Sequence, residues 1–305
     1  MQFGAGAEKI IERVRVKPGS KVSLKDYPSE WDGPEQFSVN GMELTKANSE
    51  KLLEMTRKEL TKMQDMLWAD NSHSALIILQ GMDAAGKDGL IKHVMSGLNP
   101  QGCRVTPFRA PTHEELDHDF LWRCMKALPG RGEIGIFNRS YYEEVLIVKV
   151  NPSYLVPQRL PYEKFDRTFW EERYQSINDM ERHLVRNGTL IIKFFLNISK
   201  KEQRIRLLER MGTPEKRWKF NPNDILEREK WNEYMEAYRQ MLEATSTKYA
   251  PWYVLPADQK WLTRVLGALI ITTQIASLDL KYPELPKEQL LAMEEMKRLL
   301  QKEKG

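Results

Sequence analysis

The stretch that decides the fold runs from residue 75 to residue 87 and has the sequence Ala75-Leu-Ile-Ile-Leu-Gln-Gly81-Met-Asp-Ala-Ala-Gly86-Lys87. Its first five residues are apolar and are bounded by polar ones, which is typical of a strand buried on both faces of a parallel sheet. After the loop, apolar residues recur at helical spacing from Leu90 to Leu98, so a helix follows. Strand, glycine-rich loop and helix in this order are the context in which G-x-x-x-x-G-K binds phosphate.

The glycine-rich loop is predicted to hold phosphate through its backbone. Glycines let the chain wrap around an anion, and the N–H groups of the loop and of the helix N-terminus attract negative charge. The ammonium group of Lys87 adds a mobile positive charge. A turn of small residues that only connects strand to helix is the alternative interpretation. The loop residues predicted to bind phosphate are Gly81, Ala84, Ala85 and Gly86.

Two aspartates distinguish this loop from an ordinary P-loop. Position 88 is Asp, where the ordinary loop has the Ser or Thr whose hydroxyl binds magnesium, so the loop departs from standard nucleoside triphosphate binding. Asp83 places a carboxylate beside the bound phosphates, where we expect it to hold Mg²⁺ between them. A solvated turn residue is the alternative interpretation of Asp83. We assign Asp83 as a catalytic residue and metal ligand, and Asp88 to the phosphate-binding set.

A second motif, Asn138-Arg-Ser-Tyr-Tyr-Glu143-Glu144, follows a predicted strand. It emerges at the carboxyl edge of the sheet, where α/β proteins bind ligands, and therefore faces the P-loop. Arg139 can grip phosphate oxygens with its planar guanidinium. Glu143 lies about one helical turn further on and could bind a metal or orient the acceptor. A solvated helix start, favoured by the helix dipole, is an almost equally strong interpretation of Glu143 and Glu144.

The rest of the chain alternates between strand and helix patterns. This alternation predicts an α/β fold with a parallel sheet covered by helices on both faces. Further strands are expected at Arg104–Phe108, Glu133–Phe137, Thr189–Leu196 and Trp252–Leu255. Helices are expected at Asn48–Trp68, Glu114–Leu128, Tyr141–Val148, Tyr162–Asn187 and Asp224–Thr247.

Three segments are expected. Residues 1–70 form an N-terminal extension, in which an extended surface arm over residues 14–40 precedes a leading helix. Residues 71–280 form the P-loop core, with a lid at about 199–224. Residues 281–305 contain an amphipathic helix, Lys287–Lys302, which could dock on the body or on a second subunit.

The predicted lid is rich in cations. It begins at Ser199, which is spaced from Glu202 as in a capping box. The cations that follow between this start and the next helix are Arg204, Arg206, Arg210, Lys216, Arg217 and Lys219. For each of them, a solvated helix face is as strong an interpretation as a role in binding.

Composition excludes several classes of protein. The chain has 305 residues and a net charge of +4, which is too small to indicate a nucleic-acid-binding protein. The 2 cysteines and 5 histidines have no zinc-ligand spacing, so no structural metal is expected. There is no apolar run long enough for a signal or a membrane span, and we expect a cytoplasmic protein without a membrane partner.

Several motifs together resemble the polyphosphate kinase 2 family. They are the loop Gly81-Met-Asp-Ala-Ala-Gly-Lys-Asp-Gly89, Phe108-Arg-Ala-Pro-Thr112 with Glu115-Leu-Asp-His-Asp-Phe-Leu-Trp-Arg123, Phe137-Asn-Arg-Ser-Tyr-Tyr142, Trp218-Lys-Phe-Asn-Pro222, Tyr249-Ala-Pro-Trp-Tyr253 and Pro256-Ala-Asp258. The resemblance covers roughly residues 70 to 270. It implies a P-loop kinase fold similar to thymidylate kinase, a three-layer αβα arrangement with a helical lid.

The resemblance also implies an activity: reversible, Mg²⁺-dependent phosphate transfer between inorganic polyphosphate and nucleotides, with Mn²⁺ as an alternative ion. Asp83 and Lys87 would lie at its centre. Many members of the family have Asp at the position of Asn138. With Asn there, the chain resembles the class III subgroup, which acts on nucleoside mono- and diphosphates. Glu143 would compensate for the lost carboxylate. Arg109 of the motif Phe108-Arg-Ala-Pro-Thr112 joins the predicted phosphate-binding residues. A homo-oligomer is implied, and no nucleic-acid partner is expected.

The chemistry of the residues agrees with such a reaction. No catalytic base stands out, and none is needed when the acceptor is a phosphate, which is largely ionised near neutral pH because its second pKa is about 6. A polyanionic donor requires a basic track, and the lid cations would line that channel and close over it. The predicted lid ligands are Arg204, Arg210, Lys216, Arg217 and Lys219, with Arg206 beside them in the channel.

Two rival functions remain open. An ATP-dependent nucleoside monophosphate kinase would share the fold, although Asp88 and the long cationic lid argue against it. A non-enzymatic P-loop protein could instead use the basic lid to follow a nucleic-acid backbone, which the small net charge disfavours.

Overall fold

Five parallel strands form the central sheet of the computed structural model, which describes residues 3–303. The order of the strands across the sheet is β4-β5-β3-β6-β7, so the strand that leads into the P-loop is central. A separate antiparallel hairpin pairs β1 with β2. The strands are β1 (Ser38–Val39), β2 (Met42–Glu43), β3 (Ser74–Gln80), β4 (Cys103–Pro107), β5 (Ile134–Asn138), β6 (Thr189–Asn197) and β7 (Trp252–Pro256).

The centre of the sheet is apolar on both faces, as the sequence predicts. All seven residues of β3 are buried, and Ile77 is in register with Ile136 of β5 and Ile192 of β6. Burial of such side chains contributes about 1.5–3 kcal/mol each relative to exposure. The α/β fold with a parallel sheet is therefore confirmed, and each predicted strand is present.

Two groups of helices pack on the sheet. In one group α11 contacts α1, α2 and α3, and in the other α10 contacts α6 and α7. The helices are α1 (Gly4–Val14), α2 (Ser49–Asp70), α3 (Lys87–Val94), α4 (His113–Leu116), α5 (Trp122–Met125), α6 (Ile147–Val150), α7 (Arg167–Arg186), α8 (Lys200–Gly212), α9 (Asn223–Glu229), α10 (Trp231–Thr245), α11 (Lys260–Ala276) and α12 (Lys287–Lys302).

The contact between α3 and α11 fixes the helix that follows the P-loop. Gly267 of α11 faces Leu90 of α3, and a Cβ atom at position 267 would lie 2.7 Å from Leu90 Cδ1. The missing side chain lets the two helices approach closely, which places the N-terminus of α3 at the end of β3.

Several predicted helices differ in extent. The predicted helix 114–128 is two short helices, because the side chain of Asp119 accepts a hydrogen bond from Leu121 N at 2.9 Å in the turn between them. The predicted helix 162–187 begins only at Arg167, where Asp166 caps it. The predicted helix 141–148 is a 3₁₀ turn, Tyr141–Val145, followed by α6. The predicted helix 224–247 is interrupted at Lys230 and forms α9 and α10.

The N-terminal arm is extended, but it is anchored more firmly than the sequence predicts. Val16, Val22 and Trp31 are buried in the main core. Val16 N donates to Trp252 O at 2.9 Å, so the arm lies along β7. The expectation of an arm that only covers the surface is wrong at these positions, because single apolar residues without periodicity gave no sign of burial.

The segment predicted as the lid contains α8, a 3₁₀ turn over Pro214–Lys219 and the start of α9. The C-terminal helix α12 is also present, and it has no buried residue. The proposed boundaries of the three segments stay a prediction. Of the helices within residues 3–303, none is both long and apolar enough to span a membrane.

Candidate active site

The P-loop holds its shape through unusual backbone angles. Gly86 has a φ of 110°, and Ala84 has a φ of 61°, in the left-handed region that non-glycine residues rarely adopt. Gly81 leaves room for the strand behind it, because a Cβ atom there would lie 2.9 Å from Leu196 O. Ala85 N donates to Met82 O at 3.1 Å and closes the turn. These residues therefore form the predicted loop at the start of α3.

Lys87 lies inside the loop. Its side chain is 8% exposed, and its ammonium donates to Gly81 O at 2.6 Å and to Met82 O at 3.3 Å. Burial lowers the pKa of Lys87, and the positive charge of Arg139 lowers it further. A cation that is partly stripped of water interacts strongly with an arriving phosphate.

Arg139 joins the second motif to the P-loop. Its backbone N–H donates to Leu79 O at 3.1 Å, at the carboxyl end of β3. Its Nη2 donates to Asp83 Oδ1 at 2.7 Å, and its Nη1 lies 3.7 Å from Glu143 Oε2. Glu143, followed by Asp83 among the charges, raises the pKa of Arg139. The structure thus brings Asp83, Arg139 and Glu143 into direct contact, beside Lys87.

Asp88 is paired with two partners from distant parts of the chain. Asn138 Nδ2 donates to Asp88 Oδ1 at 2.9 Å, and Lys219 Nζ donates to Asp88 Oδ2 at 2.7 Å. The bond from Lys219 is the first cause of the lowered pKa of Asp88. The predicted site residues 88, 138 and 219 are therefore neighbours.

Arg206 does not line the lid channel, contrary to prediction. It is 7% exposed, and its guanidinium donates to Ala84 O, Ala85 O, Ala257 O and Asp258 O, while Nε donates to Glu202. Two of these carbonyls belong to the P-loop and two to the turn after β7. The planar guanidinium of Arg206 donates hydrogen bonds to both pairs. Arg206 is a support beneath the P-loop.

The other lid cations differ in their partners. Arg210 Nη1 donates to Asp224 Oδ2 at 3.0 Å, while Lys216 pairs with Glu209 and Arg217 donates to Met211 O within the lid. Arg204 is exposed on α8. Arg109 is exposed after β4, and its carbonyl accepts from Arg123. The phosphate contacts of these residues stay a prediction.

The sequence prediction missed two residues that face the site. Asp224 accepts a hydrogen bond from Arg210 at 3.0 Å, and burial, followed by the carboxylate of Asp83, raises its pKa. Tyr238 stacks on Phe195 with ring centroids 4.3 Å apart. Its pKa is raised by burial and then by Glu143 and Asp83. The sequence predicted Asp224 only as the first residue of a helix, and a tyrosine at helical spacing gave no distinguishing signal.

A buried ion pair supports the second motif from behind. Lys193 of β6 and Glu181 of α7 are both 0% exposed, and Nζ lies 2.6 Å from Oε2. The other oxygen of Glu181 accepts from the hydroxyls of Tyr141 and Tyr142. A lysine in the middle of an apolar strand was the signal that could have revealed this network. The network fixes the backbone that follows Arg139.

A cavity of about 180 Å³ opens beside the second motif. Its polar floor contains Arg173, whose Nη1 lies 3.2 Å from Glu144 Oε2. Phe120, Leu160 and Phe169 supply apolar walls. A flat group with polar edges fits these surroundings.

Carboxylates of the site fit a magnesium ion. Mg²⁺ prefers oxygen ligands and is usually bound by one or two carboxylates plus substrate phosphates. Asp83 and Glu143 flank Arg139 on both sides and could share in such binding. Over the part of the chain that the structure describes, no group of three or more His, Cys, Asp or Glu side chains is placed to hold a metal ion.

Known proteins match this chain over most of its length. An ADP-polyphosphate phosphotransferase of Rhodopseudomonas palustris is 47% identical, covering 90% of this chain and 92% of the relative. An AMP/ADP-polyphosphate phosphotransferase of Meiothermus ruber is 42% identical, covering 90% and 96%. The crystal structure of polyphosphate kinase 2 from Arthrobacter aurescens TC1 has a TM-score of 0.82 and 37% identity, covering 96% of this chain and 98% of that one.

The family assignment follows from these likenesses. The family model for polyphosphate kinase 2 matches residues 43–283, which include the leading helix, the P-loop core and the whole lid. The P-loop, the second motif and the lid of the structure fall within that match. The chain therefore belongs to the polyphosphate kinase 2 family.

Proposed function

We propose that the chain transfers the terminal phosphate of inorganic polyphosphate to nucleoside mono- and diphosphates, converting AMP to ADP and ADP to ATP, reversibly and with Mg²⁺. The observation that carries the proposal is the position of Arg139 between Asp83 and Glu143, beside the P-loop lysine. The names of the two relatives above support polyphosphate as donor, and that of the Meiothermus ruber relative includes both AMP and ADP.

The residues of the site provide what phosphate-to-phosphate transfer requires. The acceptor is already ionised, so the reaction depends on in-line positioning and on neutralising charge on the transferred group. Lys87 and Arg139 supply two cations at the P-loop, and the lid supplies others. Asp83 and Glu143 would hold Mg²⁺, which would supply positive charge to neutralise part of the phosphate charge; Mn²⁺ is chemically able to replace it.

We place the base of the acceptor at the cavity beside Glu144, whose volume is about 180 Å³. The cavity has aromatic walls at Phe120 and Phe169, and its floor presents Arg173 and Gln158. The guanidinium of Arg173 lies over both rings, 4.3 Å from the centroid of Phe120 and 5.0 Å from that of Phe169, so a base in the cavity would stack against this guanidinium. The cavity therefore supports a nucleotide as acceptor.

The experiment that tests the proposal incubates purified protein with Mg²⁺, long-chain polyphosphate and either AMP or ADP, and separates the nucleotides by chromatography. We expect ADP and ATP to form from AMP, and ATP from ADP. Formation of ADP from AMP only when ATP replaces polyphosphate would favour the ATP-dependent kinase. Salt-sensitive nucleic-acid binding without any phosphate transfer would favour the non-enzymatic rival.

The family resemblance also implies a homo-oligomer. Light scattering on the gel-filtered protein measures its mass, and a monomer would contradict this part of the proposal.

A further inference from the structure

The outer part of the lid touches the core at one polar point. We define the lid tip as residues 213–222, between α8 and α9. Within residues 3–303, all hydrogen bonds and ion pairs of the lid tip but one are formed inside the lid, to residues 209–226. The exception is the pair between Lys219 and Asp88, whose atoms lie 2.7 Å apart.

The base of the lid is fixed independently of this contact. Arg206 of α8 holds the carbonyls of Ala84 and Ala85, and Gln203 Nε2 donates to Asp83 O at 3.0 Å. The start of α8 is thus bound to the P-loop by buried groups. Loss of the contact between Lys219 and Asp88 would free the lid tip while leaving this base in place.

Asp88 is held where it can receive the lid. Its Oδ1 accepts from Asn138 Nδ2 at 2.9 Å, which leaves Oδ2 for Lys219. Asp88 lies in the first turn of α3 beside the P-loop, and its side chain is 65% exposed while that of Lys219 is 39% exposed. A carboxylate at this place repels an incoming polyphosphate, so its presence needs a compensating interaction.

We propose that Asp88 is a positioning residue that docks the lid tip, holding Lys219 above the P-loop where its remaining donors meet the polyphosphate chain. The inference rests on the proposed function for the identity of the donor. A lysine ammonium has three donors, so it can bind Asp88 and a phosphate oxygen together. Asp88 replaces the hydroxyl of an ordinary P-loop with a docking point for the lid.

A double-mutant cycle tests this role, because the proposal predicts whether Asp88→Asn raises or lowers the KM for polyphosphate in each background. Asp88→Asn removes both the docking charge and the repulsion of phosphate, whereas in a Lys219→Ala background it removes only the repulsion. We expect Asp88→Asn to raise the KM for polyphosphate about threefold to fivefold in the wild type, the size of an exposed ion pair. In the Lys219→Ala background, the same change should leave KM unchanged or lower it.

Other results of the cycle would overturn the proposal. A lower KM in both backgrounds would mean that Asp88 only repels the donor. A rise that persists without Lys219 would mean that Asp88 acts through another group, such as a bound metal ion. Fitting kcat separately, at saturating Mg²⁺, distinguishes these results from a general loss of activity.

Trypsin cleavage of the protein in the absence of polyphosphate and nucleotide tests the contact between Lys219 and Asp88 alone. Lys216 and Arg217 of the lid tip are exposed cleavage sites, and we expect Asp88→Asn to increase the initial rate of cleavage there. Asp65→Asn, a change of an exposed acid on α2, is the matched control and should cleave as the wild type. Equal cleavage in all three proteins would refute docking. If the wild type transfers no phosphate, the proposed function fails, yet this comparison still decides whether Asp88 holds the lid tip.

Discussion

Arg139 Nη2 donates to Asp83 Oδ1 at 2.7 Å, although 56 residues separate them in the chain. Because Arg139 also lies 3.7 Å from Glu143, its guanidinium contacts both carboxylates of the site. Under the proposed function, an arginine that holds both metal-binding candidates would also face the transferred phosphate, and we expect it to stabilise the transition state more than the ground state.

We expect Arg139→Ala to lower kcat by about 100-fold or more, in the range observed when one donor to transition-state charge is removed. Asp83→Asn, which keeps the shape and removes the charge, should lower kcat by a similar factor and weaken the response to Mg²⁺. Steady-state kinetics at several Mg²⁺ concentrations measures both effects. A normal kcat in either variant would contradict the assigned roles.

Substitutions of two neighbouring arginines on α8 test whether Arg206 supports the P-loop. Arg206→Ala leaves the carbonyls of Ala84 and Ala85 without their charged donor, and hydrogen bonds to charged groups contribute about 1.5–3 kcal/mol each. We expect unfolding by urea to show a loss of at least about 3 kcal/mol. Arg204→Ala, a change on the exposed face of the same helix, is the control and should stay within about 0.5 kcal/mol of the wild type. Equal stabilities would contradict the structural role of Arg206.

The shape of the P-loop can be changed by one methyl group. Gly81→Ala would place Cβ at 2.9 Å from Leu196 O, a backbone atom that cannot move aside. We expect the loop to shift and phosphate transfer to fall by at least about tenfold, since a displacement of about 1 Å can cost 100-fold in rate. Gly89→Ala is the matched control, because its Cβ meets no atom within 4 Å and alanine favours the helix. Full activity of Gly81→Ala would show that the loop tolerates the methyl group.

The pH dependence of the free energy of unfolding should reveal the lowered pKa of Lys149. Burial lowers the pKa of this lysine to about 8 from its ordinary 10.5, and Nζ donates to the hydroxyl of Tyr174 at 3.1 Å. Between pH 8 and 10.5 the unfolded chain therefore binds a proton that the folded chain has released, so this group makes the folded state gain stability as pH rises.

Urea unfolding at pH 7, 8.5 and 10 compares the wild type with Lys149→Met. The free energy of unfolding of the wild type should rise relative to the variant across the upper two values. Lys51→Met, which removes an exposed lysine from α2, controls for the change in net charge. A constant difference between wild type and Lys149→Met would show that Lys149 keeps its proton.

Local patterns in the sequence predicted the sheet, the P-loop and the second motif. The signal around Gly81 and Lys87 is local, because a buried strand, a loop and a helix N-terminus follow one another directly. The same holds for Arg139, since the carboxyl end of β5 must lie beside that of β3. These parts depend on spacing alone, and the structure agrees with them.

The roles of individual lid cations depend on tertiary contacts and could not be predicted. Arg206 and Arg204 are two residues apart on one helix, yet one is buried against carbonyls of the P-loop and the other is exposed. Both are arginines in the same charged stretch of α8, so only the packing of this helix distinguishes them. Asp224 was missed for the same reason, because its neighbour Asp83 is distant in sequence.

The hydrogen bond from Val16 to Trp252 O has a consequence for synthesis. The ribosome releases the N-terminal segment first, but the strand that receives it is made last among the five of the central sheet. Until then Ile10, Ile11 and Val14, all buried in the finished protein, have no partner in β7 and are open to water or to chaperones. In the nascent chain, residues 10–16 therefore stay unfolded or loosely held until β7 has emerged.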